Sequence, residues 1–253
     1  MEEKKVKVKS LEKALKVLEC FSPSQPELGI AQIAETLGLY KGNVYNIVST
    51  FEQMGYLEQN PQNKKYRLGM KLLNFTYTIN SNLRYQNFVY DVISEIAAEL
   101  SCRVYFAVPL DNKVFYLNNA HYPTKFNVTP YRIIIGETAP MYCTSLGKAM
   151  LAFLPPDEQR VVLDLPRVKF TRNTIVEEDK LLEELEKIRS IGYAVDDSEH
   201  ELGIKCLGVP VISRGKVVAA LSVSMSVPEF DDNLIPKYYS ALARAANEIK
   251  SLF

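Results

Sequence analysis

Gly38 separates two short segments that carry apolar residues at helical spacing, and this break constrains the chain more than any other feature of its sequence. The first segment, residues 30–37 (IAQIAETL), reads as a short amphipathic helix. The second, residues 41–54, places Val44, Ile47, Val48, Phe51 and Met54 in one stripe and stops at Gly55. Two short helices that cross at a wide angle need a small residue where they touch and a glycine to open the turn between them. Ala34 fits the contact. Gly38 suits the turn, because a left-handed backbone is cheapest for glycine. Ile33, Leu37, Val44 and Ile47 can then seal the pair. The pattern reads as a helix-turn-helix, and an unrelated three-helix bundle is the alternative on the same residues.

The flanking segments fit that reading. Ser10 is the expected N-cap of an earlier helix with Leu11, Ala14, Leu15, Val17, Leu18 and Phe21 as its apolar positions; Pro23 and Pro26 stop it. Strands at 56–59 and 64–68 enclose the turn residues Asn60-Pro61-Gln62-Asn63, so a small basic hairpin follows the helix pair. A recognition helix enters the major groove by its N-terminal end. With the seal facing inward, Lys41, Gly42, Asn43, Tyr45 and Asn46 are left to face DNA. Asparagine can bond adenine at two positions, and lysine can bond guanine or phosphate. Lys64, Lys65 and Arg67 on the hairpin suit phosphates or an adjacent groove. For each of these residues the plainer alternative is a solvated surface position.

Charge supports a nucleic-acid module joined to something else. The net charge of the 253 residues is zero, but residues 1–84 hold 12 Lys and Arg against 8 Asp and Glu, whereas residues 85–253 hold 18 against 22. The expected organisation is a DNA-binding domain over 1–68, a linker helix over 69–84 and a second domain over 85–253. Within the second domain, helices are expected at 88–100, 145–154, 177–191 and 234–252. Strands are expected at 102–109, 113–120, 206–212 and 216–224. No apolar run is long enough to span a bilayer. The charged start Met1-Glu2-Glu3-Lys4-Lys5 lacks an apolar sequel, so a cytoplasmic protein without membrane contact is expected.

Two segments of the second domain point to a small-molecule site. The turn Tyr142-Cys143-Thr144-Ser145-Leu146-Gly147-Lys148 precedes a helix, and free N–H groups at a helix start attract a carboxylate. In the strand bearing Ser222-Val223-Ser224, alternate residues share a face, so the two hydroxyls point the same way. If buried, they need partners, which a polar ligand can supply. Bonding to neighbouring backbone is the alternative. Met141, Leu146 and Met150 are the expected apolar walls.

At this point the chain resembles the IclR family of bacterial transcriptional regulators over about residues 10–253. In the first domain the resemblance rests on SLEKALKVLECF, IAQIAETLGLYKGNVYNIVSTFEQMGYLEQ and KKYRLGMKLL. In the second it rests on GETAPMYCTSLGKAMLAFLP, TRNTI, LEELEKIRSIGYAVDDSEHELGIKCLGVPV and VVAALSVSMSVPEF. The resemblance implies an α+β protein: an N-terminal winged helix-turn-helix, a linker helix and a C-terminal GAF-like α/β sensor domain. It implies homodimers, commonly pairs of dimers, acting on double-stranded operator DNA as repressors or activators, with small organic acids, sugar acids or aromatic acids as effectors. It also implies that Asp196, Cys206, Ser222 and Ser224, with the backbone at Ser145 and Leu146, form the effector site. One departure lies in the recognition helix. The family often begins it with Lys-Ser-Thr and carries an Arg, whereas this chain has Lys41-Gly42-Asn43 and Asn46.

The expectation is therefore a repressor controlled by a small carboxylate metabolite, with no cofactor, no bound metal and no catalytic residue. A metal- or thiol-responsive regulator and a thiol enzyme are the alternatives, drawn from Cys143, Cys206, His200 and Asp196. The first helix and the linker helix carry more apolar residues than so small a domain can cover, so a homodimer through the N-terminal half is expected, with a tetramer also open.

Overall fold

The computed structural model describes residues 6–82, 86–122 and 134–253. The chain divides into two compact units, Met1–Leu83 and Arg84–Phe253.

In the first unit, α1 (Lys9–Glu19), α2 (Ile30–Leu37) and α3 (Lys41–Gln53) enclose a core of Val17, Phe21, Leu28, Ile33, Ala34, Val44 and Val48. The expectation of a serine cap on α1 is overturned. Val8 occupies the cap position without a side-chain hydrogen bond, and Ser10 lies within the helix. The α2 start is satisfied instead by Gln32, whose side-chain oxygen accepts the Gly29 N–H at 3.0 Å. Gly38 adopts φ 62°, the left-handed conformation that the turn requires. Its neighbour Leu39 donates its N–H to the Ala34 carbonyl at 2.9 Å, closing the α2 end. Leu37 and Ile47, expected in the seal, are only half-buried.

The hairpin β1 (Leu57–Gln59) and β2 (Tyr66–Leu68) is antiparallel with Leu57 opposite Leu68. Its second strand is shorter than expected, because Lys64 takes φ 59° and belongs to the turn. Leu28 and Tyr66 exchange two backbone hydrogen bonds of 2.9 Å, and Glu27 accepts from the side chains of Asn60 and Asn63. The hairpin is thereby anchored at its base and near its tip. A short 3-10 turn (Met70–Leu72) then leads into α4 (Leu73–Asn82). The expected linker helix began at residue 69 and ended at 84; Leu83 and Arg84 lie outside the described residues.

The second unit is built on an antiparallel sheet, described with six strands in the order β5-β4-β3-β8-β7-β6. The strands are β3 (Arg103–Leu110), β4 (Lys113–His121), β5 (Thr138–Pro140), β6 (Ala194–Asp197), β7 (Ile204–Ser213) and β8 (Lys216–Ser226). On one face, α5 (Gln86–Leu100) and α9 (Ile235–Ile249) cover Val104, Phe106, Leu207, Val209, Leu221 and Val223. On the other, α6 (Ser145–Leu151), α7 (Pro156–Leu163) and α8 (Glu178–Ile191) form a second core with Ala107, Val114, Ala194 and Ala220. The alternation of β8 decides which of its side chains face α6. Ala219, Leu221 and Val223 face the α5/α9 core, which turns Ala220, Ser222 and Ser224 toward α6.

A candidate nucleic-acid interface and a polar cavity

Packing of Val44 and Val48 against α2 fixes which side of α3 is free. Lys41, Asn43, Tyr45 and Asn46 are all exposed, as the stripe dictates. Tyr40, just before α3, is 79% exposed and was not anticipated. A Cβ at Gly42 would lie 2.9 Å from its ring, so glycine makes room for the tyrosine over the first turn. On the hairpin, Lys64 is exposed and Lys65 half-buried. Arg67 is exposed but donates from Nε (3.2 Å) and Nη2 (3.1 Å) to a carboxylate oxygen of Glu58. An exposed pair of this kind is worth at most about 1 kcal/mol, so a phosphate can displace the carboxylate.

The second unit holds a cavity of about 110 Å3 between the start of α6 and the sheet. Ser145, Leu146, Asp196, Cys206, Ser222 and Ser224 all line it. The strand register explains their meeting: Asp196 lies opposite Cys206, Cys206 opposite Ser224, and Gly208 opposite Ser222. Gly208 is required here. A Cβ on it would sit 2.6 Å from the carbonyl carbon and oxygen of Ser145, and its absence lets the start of α6 rest on the sheet. Thr144 caps α6 by accepting the Gly147 N–H at 3.0 Å. That cap leaves the first-turn N–H groups of Ser145 and Leu146 outside the helical ladder.

Met141 and Met150, expected as walls, do not line the cavity. Both are buried in the core that α6 shares with α8, leaving Leu146 as the wall among the three. Tyr105, Tyr116, Glu137, His200, Glu201 and Ile204 line it without having been anticipated. Tyr105 was findable: it lies two residues from Ala107 on β3, on the face that Ser222 shares across the register. His200 and Glu201 come from an irregular loop, where no periodicity tells which way a side chain points.

The electrostatics of the cavity are dominated by desolvation. Burial pushes the Asp196 carboxyl up to about 7; the Glu199 N–H, donating to it at 2.7 Å, opposes the rise, while the Glu199 carboxylate adds to it. Glu199 is itself held by Lys148, whose ammonium is 1% exposed and also donates to the Val195 carbonyl at 2.6 Å. Burial raises the Glu199 carboxyl and Lys148 draws it back. The ion pair thus ties the loop after β6 to α6.

The thiols are chemically quiet. Burial raises Cys206, which stays an S–H and donates to the Ser224 hydroxyl at 3.2 Å. Cys143 is pushed up to about 12, chiefly by burial. Neither carries the thiolate that a nucleophile or a soft-metal ligand needs. Among the described residues no group of three or more His, Cys, Asp or Glu is placed to hold a metal ion. Nor is any helix there long and apolar enough to cross a membrane.

Comparison with known proteins converges on one family. Residues 10–61 match the model of the IclR helix-turn-helix domain, and residues 81–251 match that of the bacterial transcriptional regulator IclR C-terminal domain. The chain is 29% identical to the HTH-type transcriptional regulator XynR of Escherichia coli, over 94% of each chain. It superposes on the crystal structure of an IclR transcriptional regulator from Alicyclobacillus acidocaldarius with a TM-score of 0.84, at 24% identity over 98% of this chain and 99% of that one. An IclR homologue from Microbacterium hydrocarbonoxydans, solved in complex with 4-hydroxybenzoate, has a TM-score of 0.78 at 22% identity, with 96% and 98% covered.

Proposed function

The chain belongs to the IclR family of bacterial transcriptional regulators, and we propose that it is a repressor released from its operator by a small carboxylate-bearing metabolite. The observation that carries this reading is the polar cavity at Asp196, Cys206, Ser222 and Ser224, in the same chain as a helix-turn-helix whose recognition face is exposed. Asn43 and Asn46 read bases, Lys41 and Tyr45 flank them, and Lys64, Lys65 and Arg67 hold phosphates. Tyr40 joins this face.

Within the cavity, the free N–H groups of Ser145 and Leu146 take a carboxylate oxygen, and the serine hydroxyls take hydroxyl or carbonyl groups. Asp196, whose carboxyl burial pushes up to about 7, can hold a proton near neutral pH and then donates as well as accepts. That lessens the repulsion a fixed carboxylate would impose on an acidic ligand. The homologue bound to 4-hydroxybenzoate is an instance of a small hydroxylated acid on this fold.

The test is a thermal-shift screen of small acids followed by titration calorimetry on the full chain. Ser222→Ala and Ser224→Ala are expected to weaken the bound acid about tenfold each, the effect of leaving a ligand polar group unpaired, on the order of 1–3 kcal/mol. Ligand-free DNA binding should stay near that of the wild type. Unchanged affinity in both variants would place the effector elsewhere.

A further inference from the structure

The sheet face that floors the cavity continues past it. On β3 and β4 the register sets Arg103 opposite His121 and Tyr105 opposite Asn119, while β8 sets Ser224 beside Arg103 and Ser222 beside Tyr105. Val104 and Ala120, the pair between them, belong to the α5/α9 core. Asn119 and His121 therefore stand on the cavity face. One unbroken polar row runs Asp196, Cys206, Ser224, Arg103, His121, and a second runs Gly208, Ser222, Tyr105, Asn119.

Two atoms of these rows lack partners. Asn119 is 7% exposed, and its Oδ1 makes no hydrogen bond; the buried Nδ1 of His121 makes none either. A buried polar atom left unpaired is costly, so two on one face, in line with a polar cavity, point to a group that arrives from outside the chain.

We infer that Asn119 and His121 form a distal subsite of the effector cavity that binds the terminal hydroxyl of a polyhydroxylated acid of about six carbons. The inference rests on the effector reading above and narrows it. From the wall where Gly208 meets Ser145 to Asn119 is three strand spacings, about 14 Å. Subtracting a hydrogen bond of about 2.8 Å at each end leaves about 9 Å between the terminal oxygens of the ligand. An extended six-carbon acid fills that span, and a three-carbon acid reaches little more than half of it. Tyr105 lies between the two ends, its ring set edge-on to Tyr116 at 5.8 Å, and offers a flat surface for the carbon chain. A hydroxyl donates to the Asn119 oxygen and accepts from His121 in the tautomer that carries its proton on Nδ1.

The probes are gluconate and glycerate, titrated calorimetrically into the full-length wild type and the Asn119→Leu, His121→Phe and Ser222→Ala variants, with melting curves of each ligand-free protein. The expected result is gluconate bound at least tenfold more tightly than glycerate by the wild type. Asn119→Leu and His121→Phe should bring gluconate close to the glycerate level and leave glycerate unchanged. Ligand-free Asn119→Leu should melt no lower than the wild type, because it removes an unpaired oxygen. If Ser222→Ala weakens both acids while the distal variants weaken neither, the subsite is overturned and the effector cavity stands. If neither acid binds, the subsite is overturned, and the effector reading is decided by the screen of small acids and the two serine variants. A lower melting temperature for Asn119→Leu would overturn the subsite by showing that Asn119 supports the fold.

Discussion

Asn43 and Asn46 are three residues apart on α3 and both exposed, which places them on neighbouring positions of one helix face. If each makes a bidentate adenine contact, Asn43→Ala and Asn46→Ala should each weaken operator binding by about 1–3 kcal/mol and relax sequence preference at one base pair. Lys64→Ala should instead weaken binding to every sequence and flatten the salt dependence by about one phosphate contact. Anisotropy titrations on operator and scrambled duplexes separate the two, and an Asn variant that binds like wild type would show that another face reads the bases. Asp196 gives a residue-scale prediction of a different kind. Its carboxyl ionises near 3.9 in the unfolded chain and near 7 in the folded one. Between those values the folded state holds more protons, so this residue lowers stability as pH rises from about 4 to about 7. Asp196→Asn removes the slope and keeps an acceptor for the Glu199 N–H. The variant should gain stability over the wild type at pH 8 and little at pH 4, by a few kcal/mol at most. Equal shifts at both pH values in urea melts would contradict a carboxyl raised by burial. Ser222 and Ser224 were legible because period two fixes a strand face, and Asp196 and Cys206 because the motif around them resembles the family's. Met141 and Met150 were misplaced because an apolar residue beside a site and one beneath it look alike in sequence.

Among the elements, those with a long apolar stripe or a glycine stop were legible: α2 with Gly38, α8 with Gly192 and α9 each lie within a few residues of the expected span. The short hairpin strands β1 and β2 were legible from the turn between them, but the short elements of the second unit were missed. β5 has three residues and β6 four, too few to display alternation, and β6 carries two aspartates that read as loop. α7 was overlooked although Pro156 at its start and Asp157 and Glu158 in its first turn are ordinary helix-start signals. The elements that bear on assembly are α1 and α4. Leu11 and Leu15 on α1 and Leu73, Phe75, Tyr77 and Ile79 on α4 are about half exposed or more. Isolated exposed apolar residues are ordinary, but Leu11 with Leu15, Leu73 with Tyr77 and Phe75 with Ile79 each recur at i, i+4, and such pairs on two helices are expected to mark an interaction face. A second copy of the chain is the expected occupant, because one recognition helix reads only a few bases and paired half-sites need paired helices. Sedimentation velocity at micromolar concentration should give a dimer or a larger species, and Leu15→Glu combined with Phe75→Glu should give a monomer with weakened operator binding. A monomeric wild type would contradict this assembly.

At the scale of the whole molecule, the sequence is basic before residue 85 and acidic after it, and the two units divide the chemistry in the same way. The first presents amides and cations on a free helix and hairpin. The second encloses a cavity lined by hydroxyls and by a carboxyl pushed up to about 7, with two unpaired atoms on β4 in line with it. Control of transcription requires that the second unit change the DNA affinity of the first. Such coupling is ordinarily about 1–3 kcal/mol, and it is reciprocal. Its most direct measure is the affinity of the full-length protein for DNA from upstream of its own gene, with and without a saturating acid from the screen, in the wild type and Ser222→Ala. The account predicts at least a fivefold loss of operator affinity on adding the acid to the wild type. It predicts no comparable change in Ser222→Ala at the same acid concentration, with equal ligand-free affinities for the two proteins. An acid that binds the wild type in the Ser222 cavity but leaves its operator affinity unchanged would contradict the claim that this chain is an effector-controlled repressor.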